Sequence, residues 1–388
     1  MSDWQKLLKD DSIATLEKLA AKFGPEHIDV EALKPAFENF QMRITPEVLD
    51  LIKEPGDPIW RQYIPSVEEL DVHDGVIDSL DEDGDSPVPN IMHRYPDRVL
   101  FLVSPVCATY CRFCTRRRKV GDPEKIPLNQ YESAFEYIRQ HPEVRDVILS
   151  GGDPMMLSDR RLEFIFQNLR AIPHVEIIRL GSRITAHLPE RITPEFCEMV
   201  QKYHPVYMNT HFNHPSELTP KVVASLDRLS KAGIVLGSHT VLLRGVNDDP
   251  KVMMKLMHEL LKARVRPYYI YMADQVAGGE HFRTMVQTGL EIMKALRGWT
   301  SGLAIPYFVI DSPGGGGKVP LLPEYVESIN DDEVVFRNYE GKTYRYKQPK
   351  IAAKDGCGGV SAPDVVPIQV AAKQSATRAP RKRKSANG

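Results

Sequence analysis

From Arg98 to Ile310 one pattern repeats: a short apolar or β-branched run, then a longer stretch whose apolar residues recur at helical spacing. Such an alternation folds into βα units around a parallel sheet, because strands buried on both faces need crossover helices to cover them. Seven runs qualify as strands, at residues 99–103, 147–149, 176–180, 206–209, 234–240, 268–272 and 305–310. Between them lie helical patterns such as Leu162, Ile165, Phe166 and Leu169 ahead of Pro173, or Val252, Leu256, Leu260 and Leu261 ahead of Val265. The predicted class is α/β, a partial or complete TIM-like (β/α) barrel. At 388 residues the chain is long enough to form one as a single large domain.

The flanks read differently. Residues 1–90 predict helices and loops. Ser12 is the expected cap of a helix over Ile13, Leu16, Leu19 and Phe23 that stops at Gly24, and a second helix is expected near 46–52. An Asp-, Pro- and Gly-rich arm over 54–89 has no period and suggests only packing or contact between subunits. The barrel is expected over 91–350. Residues 351–388 read as a disordered extension with a basic end, Arg378, Arg381, Lys382, Arg383 and Lys384. Such a run can meet nucleic acid, but a block of charge is more often a solvated tail, so no nucleic-acid partner is expected. The net charge of −2, with 26% charged residues, gives no field that would draw a polyanion or a membrane. No run nears the ~18 apolar residues of a membrane span, and the opening MSDWQKLLKD is charged throughout. A cytoplasmic protein is expected.

The chemically unusual residues collect just past the C-terminal ends of the predicted strands, the face that carries the active site in barrels. Cys107, Cys111 and Cys114 follow the first strand, Gly151, Gly152 and Asp153 the second, and Ser182 and Arg183 the third. Asn209 and His211 end the fourth, His239 lies in the fifth, Asp274 follows the sixth, and Asp311 with a glycine run ending at Lys318 follows the seventh. Three of the five cysteines fall in CATYCRFC, which is not a disulfide framework and needs a reducing compartment. Iron-sulfur clusters are normally held by four thiolates, so three with no fourth imply an iron left open to a substrate or cofactor. A zinc site completed by His93 is the bland alternative, but structural zinc favours paired short spacings.

CxxxCxxC behind the first barrel strand, with Phe113 ahead of the last cysteine, resembles the radical S-adenosylmethionine (SAM) enzymes. The resemblance implies a partial barrel of the radical SAM type and a 4Fe-4S cluster on Cys107, Cys111 and Cys114. It also implies SAM on the fourth iron, cleaved on reduction to a 5'-deoxyadenosyl radical. SGGD, in itself good turn chemistry, would then hold the SAM amino group through Gly151, Gly152 and Asp153.

DSPGGGGKVP is not a phosphate-binding P-loop, since that motif needs a hydroxyl residue after Gly-Lys and Val319 stands there. A flexible glycine run would instead let Lys318 reach the barrel mouth, where a desolvated amine becomes nucleophilic. With HRYPDRVL, CTRRR, IIRLGSR, NTHFNHP, TVLLRGVND, RPYYIY and EHFRT, spread from about Arg94 to Tyr346, the run resembles the lysine 2,3-aminomutase family. The resemblance implies that Lys318 binds pyridoxal 5'-phosphate (PLP) and that Arg94, Tyr95 and Arg98 hold its phosphate, a task suited to guanidinium forks. Arg116 would bind the substrate α-carboxylate and His211 would lie beside SAM. Asp274 and Asp311 would hold the distal ammonium of lysine. Physics agrees with the last assignment, because two carboxylates desolvated together need a cation between them. A glutamate side chain is expected to be excluded, and arginine is not.

The expected reaction interconverts L-lysine and β-lysine. Arginine or another cationic amino acid is the alternative substrate, and a non-catalytic iron-sulfur redox protein is the alternative from another class. The resemblance also implies a cellular electron donor and a homo-oligomer built partly through the N-terminal region. Three departures from the family stand out. His239 replaces a glutamine near SAM; Asp249 and a lone Cys357 stand where some members have zinc-binding cysteines, so structural zinc is not expected; and Phe113 stands where a histidine can occur. Cys197, on a helical pattern, reads as a buried structural thiol.

Overall fold

The computed structural model describes residues 3–24 and 26–350; the expected disordered extension and Cys357 lie outside the described residues. A nine-stranded sheet runs in chain order. Its strands are β1 (Ile91–Tyr95), β2 (Arg98–Ser104), β3 (Asp146–Gly151), β4 (Ile177–Gly181), β5 (Val206–His211), β6 (Val235–Leu242), β7 (Arg266–Met272), β8 (Tyr307–Ser312) and β9 (Gly317–Leu321). Strands β2 to β8 are mutually parallel and correspond to the seven predicted runs, while β1 and β9 pair antiparallel at the two edges. The edges meet through a side chain and a backbone amide: Tyr95 Oη on β1 accepts a hydrogen bond from Lys318 N on β9 at 2.9 Å. The sheet thus curls into a nearly closed barrel of the expected partial type.

Strand parity decides which residues reach the interior. In β5, Val206, Met208 and Thr210 are buried while Tyr207, Asn209 and His211 are less so. The first set packs under the outer helices, with Val206 and Met208 in the same core as Leu162, Ile165, Phe166 and Leu169 of helix Asp159–Arg170. Burying each such side chain contributes about 1.5–3 kcal/mol. The second set lies on the opposite face of the strand, and His211 at its end lines the barrel mouth. Ser158, Thr193, Thr219 and Asp249 cap the helices that follow β3 to β6, the last three with proline at the first helical position, where its missing N–H costs nothing. Asp249 is therefore a helix cap, and Cys197 is buried on helix Pro194–Gln201 as expected.

Three local expectations are corrected. Thr15, not Ser12, caps helix Leu16–Phe23, because Ile13 is drawn off into a bridge with Ile44. The arm over 54–89 contains helix Pro58–Tyr63, started by Asp57 accepting from Ile59 N and Trp60 N. The glycine run is not a flexible tether but the turn between β8 and β9, with Ser312 opposite Gly317. Gly314, Gly315 and Gly317 have φ of 69°, 82° and 84°, a region that only glycine enters without strain. Beyond the barrel, β10 (Val326–Ile329), β11 (Glu333–Arg337) and β12 (Thr343–Lys347) form a separate antiparallel sheet that the sequence did not announce. Among the described residues no helix is long and apolar enough to cross a membrane.

Candidate active site

The C-terminal ends of the strands open onto a cavity of about 710 Å³. The loop after β2 gives its wall Cys107, Cys111, Cys114 and Arg116, and the loop after β3 gives Gly151, Gly152 and Asp153. Ser182, Arg183, His211, His239, Asp274, Asp311 and Lys318 line it as well, whereas Asn209, also expected at the mouth, does not. Arg94, Tyr95 and Arg98 are not part of this wall; they stand on the β1–β2 hairpin beside Lys318.

The three thiols are free, and burial pushes each of them up from the ordinary thiol range; the Asp153 charge adds to this at Cys107, while Arg183 opposes it at Cys111 and Arg116 and Arg117 oppose it at Cys114. Among the described residues no three His, Cys, Asp or Glu side chains converge on one point that a single metal ion would fill. A 4Fe-4S cluster uses one thiolate per iron, so three spaced, part-buried thiols around a cavity are a donor set that fits it. His93 is occupied elsewhere, its Nδ1 2.8 Å from Tyr137 Oη. Gly151 and Gly152 are required by packing: an added Cβ would meet Ser104 O at 2.1 Å and Val106 O at 2.4 Å. There the end of β3 is tied to the cysteine loop by Gly152 N to Ser104 O at 2.7 Å and Asp153 N to Val106 O at 2.8 Å. Asp153 accepts from Met155 N, Ser182 Oγ and Arg183 N at 2.9, 2.7 and 2.9 Å, so its carboxylate is engaged by the chain's own donors.

His211 and His239 are cross-strand partners on β5 and β6. Burial holds both well below the ordinary histidine range, His239 at about 4, so both rings are neutral at pH 7. Asn213 Oδ1 already accepts from Val241 N at 2.9 Å and lies 3.0 Å from His211 Nε2. His211 must therefore carry its proton on Nε2, leaving Nδ1 to accept from His239 Nε2 at 3.1 Å. The network assigns these tautomers, and it leaves His239 Nδ1 as an acceptor.

At the other end of the cavity, pairing of β8 with β9 sets Lys318 opposite Asp311, and Lys318 Nζ reaches Asp311 Oδ1 at 3.0 Å. The rings of Tyr95 and Tyr271 stand 5.9 and 5.5 Å from the ammonium. Asp274 is pushed up to about 7, by burial first and by the Asp311 charge second. An ammonium ligand stays protonated to about pH 10 and needs Asp274 ionised. The KM for a lysine-like substrate is accordingly expected to fall as pH rises through about 7 and to level off above it, with kcat changing less. A KM flat across this range would remove Asp274 from the ammonium site. Arg116 donates from Nε to Glu82 Oε1 at 2.7 Å, and Glu82 is 8% exposed.

Glu82 belongs to a group that sequence reasoning missed. The basic run Arg116, Arg117, Arg118 and Lys119 behind the cysteines is latched by acids of the N-terminal arm: Glu82 on Arg116, Glu69 on Arg117, and Asp78 and Asp83 on Arg118, with Asp83 also on Lys119. Glu69 also holds Arg112 through two hydrogen bonds of 2.9 and 2.7 Å. The available signal was charge complementarity between the acidic stretch over 78–85 and the basic run over 116–119. The phosphate candidates are also paired with acids, Arg94 with Asp85 and Arg98 with Asp97, and Arg98 lies 4.0 Å over the Tyr95 ring. Two guanidinium groups and a phenol gathered beside Lys318 are chemistry that fits a phosphorylated carbonyl cofactor.

Residues 101–257 match the Radical SAM superfamily, and residues 293–377 match the family described as Lysine-2,3-aminomutase. L-lysine 2,3-aminomutase of Fusobacterium nucleatum is 49% identical over 360 residues, covering 92% of this chain and 84% of that one. The enzyme of the same description from Clostridium subterminale is 48% identical over 92% of this chain and 86% of its own. Glutamate 2,3-aminomutase of Clostridioides difficile is 42% identical, covering 90% and 83%. With the cysteines, the histidine pair and Lys318 arranged around one barrel mouth, these similarities establish that the chain belongs to the lysine 2,3-aminomutase family of radical SAM enzymes.

Proposed function

We propose that this protein moves the α-amino group of L-lysine to the β-carbon, giving β-lysine, with a 4Fe-4S cluster and SAM at the cysteine end of the cavity and PLP at the Lys318 end. The observation that carries the reading is convergence: three part-buried thiols, two carboxylates and a lysine amine face one space of about 710 Å³. When bound, these groups supply a carbon-centred radical able to take a hydrogen from an unactivated carbon, and the unsaturation across which nitrogen moves.

The chain's own residues bind and orient. Cys107, Cys111 and Cys114 would hold the cluster; Gly151, Gly152 and the neutral His211–His239 pair would flank SAM, with Asp153 fixing the β3 and β4 loops around it. Lys318 Nζ would hold PLP, and Arg94, Tyr95 and Arg98 its phosphate, in exchange for the present contacts to Asp85 and Asp97. Glu82 holds Arg116 through Nε, so an incoming α-carboxylate would be met by the terminal nitrogen that now reaches Ser150 Oγ at 3.3 Å. Asp311 now has Lys318 as its counter-ion. Committing Lys318 Nζ to a cofactor leaves Asp311 and Asp274 facing the cavity without that cation, and the distal ammonium of lysine replaces it. Tyr95 and Tyr271 restrict water around the amine. The reading also requires a cellular one-electron donor and reducing, cytoplasmic surroundings for the thiols.

The test is product analysis after anaerobic reconstitution with iron, sulfide, SAM and PLP, using lysine, arginine and glutamate separately. β-Lysine is expected from lysine and no β-glutamate from glutamate. Turnover of glutamate or arginine without turnover of lysine would overturn the substrate. A protein that loads a cluster yet releases no 5'-deoxyadenosine under any condition would favour the non-catalytic alternative.

A further inference from the structure

Arg183, just past β4, is the buried cation that touches the cysteine loop. Its side chain is 6% exposed, and its guanidinium lies between two rings, Tyr63 at 5.0 Å and Phe113 at 5.3 Å. One terminal nitrogen donates to Gln62 Oε1 and to Glu217 Oε1, both at 2.6 Å. The other donates to Cys111 Sγ at 3.0 Å. Every partner is itself held. Gln62, fully buried, also accepts from Asn213 Nδ2 at 3.1 Å and donates to Pro58 O at 3.1 Å. Glu217 further accepts from Tyr63 Oη at 2.9 Å, Asn213 N at 2.6 Å and His214 N at 2.8 Å.

We propose that Arg183 is a positioning residue that sets the reduction potential of the iron-sulfur cluster by donating a charge-assisted hydrogen bond to the Cys111 thiolate, with Gln62 and Glu217 fixing its aim. The inference rests on the reading that Cys107, Cys111 and Cys114 hold such a cluster. Charge-assisted hydrogen bonds are about twice as strong as neutral ones, and hydrogen bonds to sulfur, net charge and exposure set the potentials of these clusters. Reduction adds one electron and makes the cluster more negative. A donor and a positive charge on one of its thiolates favour the reduced form and raise the potential. A purely structural arginine would be satisfied by Glu217 and Gln62 alone; here a second nitrogen is directed at sulfur.

The experiment is a dithionite redox titration of the reconstituted full-length protein, followed by the electron paramagnetic resonance signal of the reduced cluster, with iron content measured on each sample. Dithionite donates the electron, and no bond is made or broken. Arg183→Lys, which loses the planar fork, and Gln62→Glu, which sets a second carboxylate on the guanidinium at unchanged shape, are both expected to lower the potential. At fixed poise each should cut the reduced-to-oxidised ratio about tenfold, equivalent to 59 mV for one electron. Arg191→Lys is the control, since Arg191 is fully buried but donates to Met155 O, Leu157 O and Asp159 and to no thiol; its potential should stay at the wild-type value. Wild-type potentials in Arg183→Lys and Gln62→Glu at full iron content would overturn the proposal, and Gln62→Glu decides it if Arg183→Lys does not fold. A wild-type protein that takes up no cluster would instead overturn the reading on which the proposal rests.

Discussion

Asp274→Asn is expected to lower kcat/KM for lysine by roughly 30- to 4,000-fold, the equivalent of the 2–5 kcal/mol lost when one side of a buried, hydrogen-bonded charge pair is removed. The substitution keeps shape and volume but takes away the charge. Asp274 is held near 7 by burial and by the Asp311 charge, so in the empty site it is poised between forms and a cation in the cavity draws it to the ionised one. The loss should fall mainly on KM, because the ammonium is far from the reacting carbons and is held in ground and transition states alike. Two further signatures separate this role from general damage. The pH dependence of KM near 7 should vanish in the variant, and a neutral, shorter amino acid should lose far less than lysine does. A variant with unchanged kcat/KM for lysine would refute the ammonium site. The comparison with glutamate 2,3-aminomutase at 42% identity sharpens the point: related chains are described as acting on side chains of opposite charge, so overall similarity does not choose the substrate, and the proposal gives that choice to Asp274 and Asp311.

The parts of this molecule legible in the sequence are those whose cause is local. Seven strands could be read because each is an apolar run that must be buried on both faces, and residues at their ends then had to share one mouth. Lys318 was assigned correctly to that mouth but by the wrong route. Glycine was read as freedom, whereas the positive φ of Gly314, Gly315 and Gly317 makes it the condition for a tight turn, and it is strand pairing that sets Lys318 against Asp311. Gly151 and Gly152 were read as ligand-facing, while their missing side chains are first explained by the backbone of Ser104 and Val106. What could not be read was tertiary. Gln62 and Tyr63 reach Arg183 and Glu217 across more than a hundred residues, and no period in the chain announces a polar side chain buried to satisfy a distant one. The arm over 54–89, for which only packing or contact between subunits was expected, turns out to carry the acids that hold the cysteine loop.

Glu69→Ala is therefore expected to destabilise the protein by about 3–5 kcal/mol, the cost of leaving one member of a buried ion pair without its partner. Glu69 is fully buried at its side chain, Arg112 is 5% exposed, and the two meet through paired hydrogen bonds of 2.9 and 2.7 Å. The same carboxylate holds Arg117 at 3.0 Å, and its Oε1 accepts from Ser66 N at 3.0 Å. Removing it strands two guanidinium groups on either side of Cys114. Glu69→Gln, which keeps the volume and one acceptor but not the charge, should cost less than Glu69→Ala. Urea unfolding gives the measurement, provided the slope with denaturant stays at the wild-type value, so that a shift in midpoint reports stability alone. The effect should extend to the site, because Arg112 and Arg117 flank Cys114 and fix the course of the loop around it. Iron retained after desalting should fall in Glu69→Ala at temperatures where the barrel, judged by far-ultraviolet circular dichroism, remains folded. Loss of stability below about 1 kcal/mol, the range of exposed pairs, would show that the latch carries little. Stability lost with iron retention unchanged would separate the latch from the geometry of the thiols.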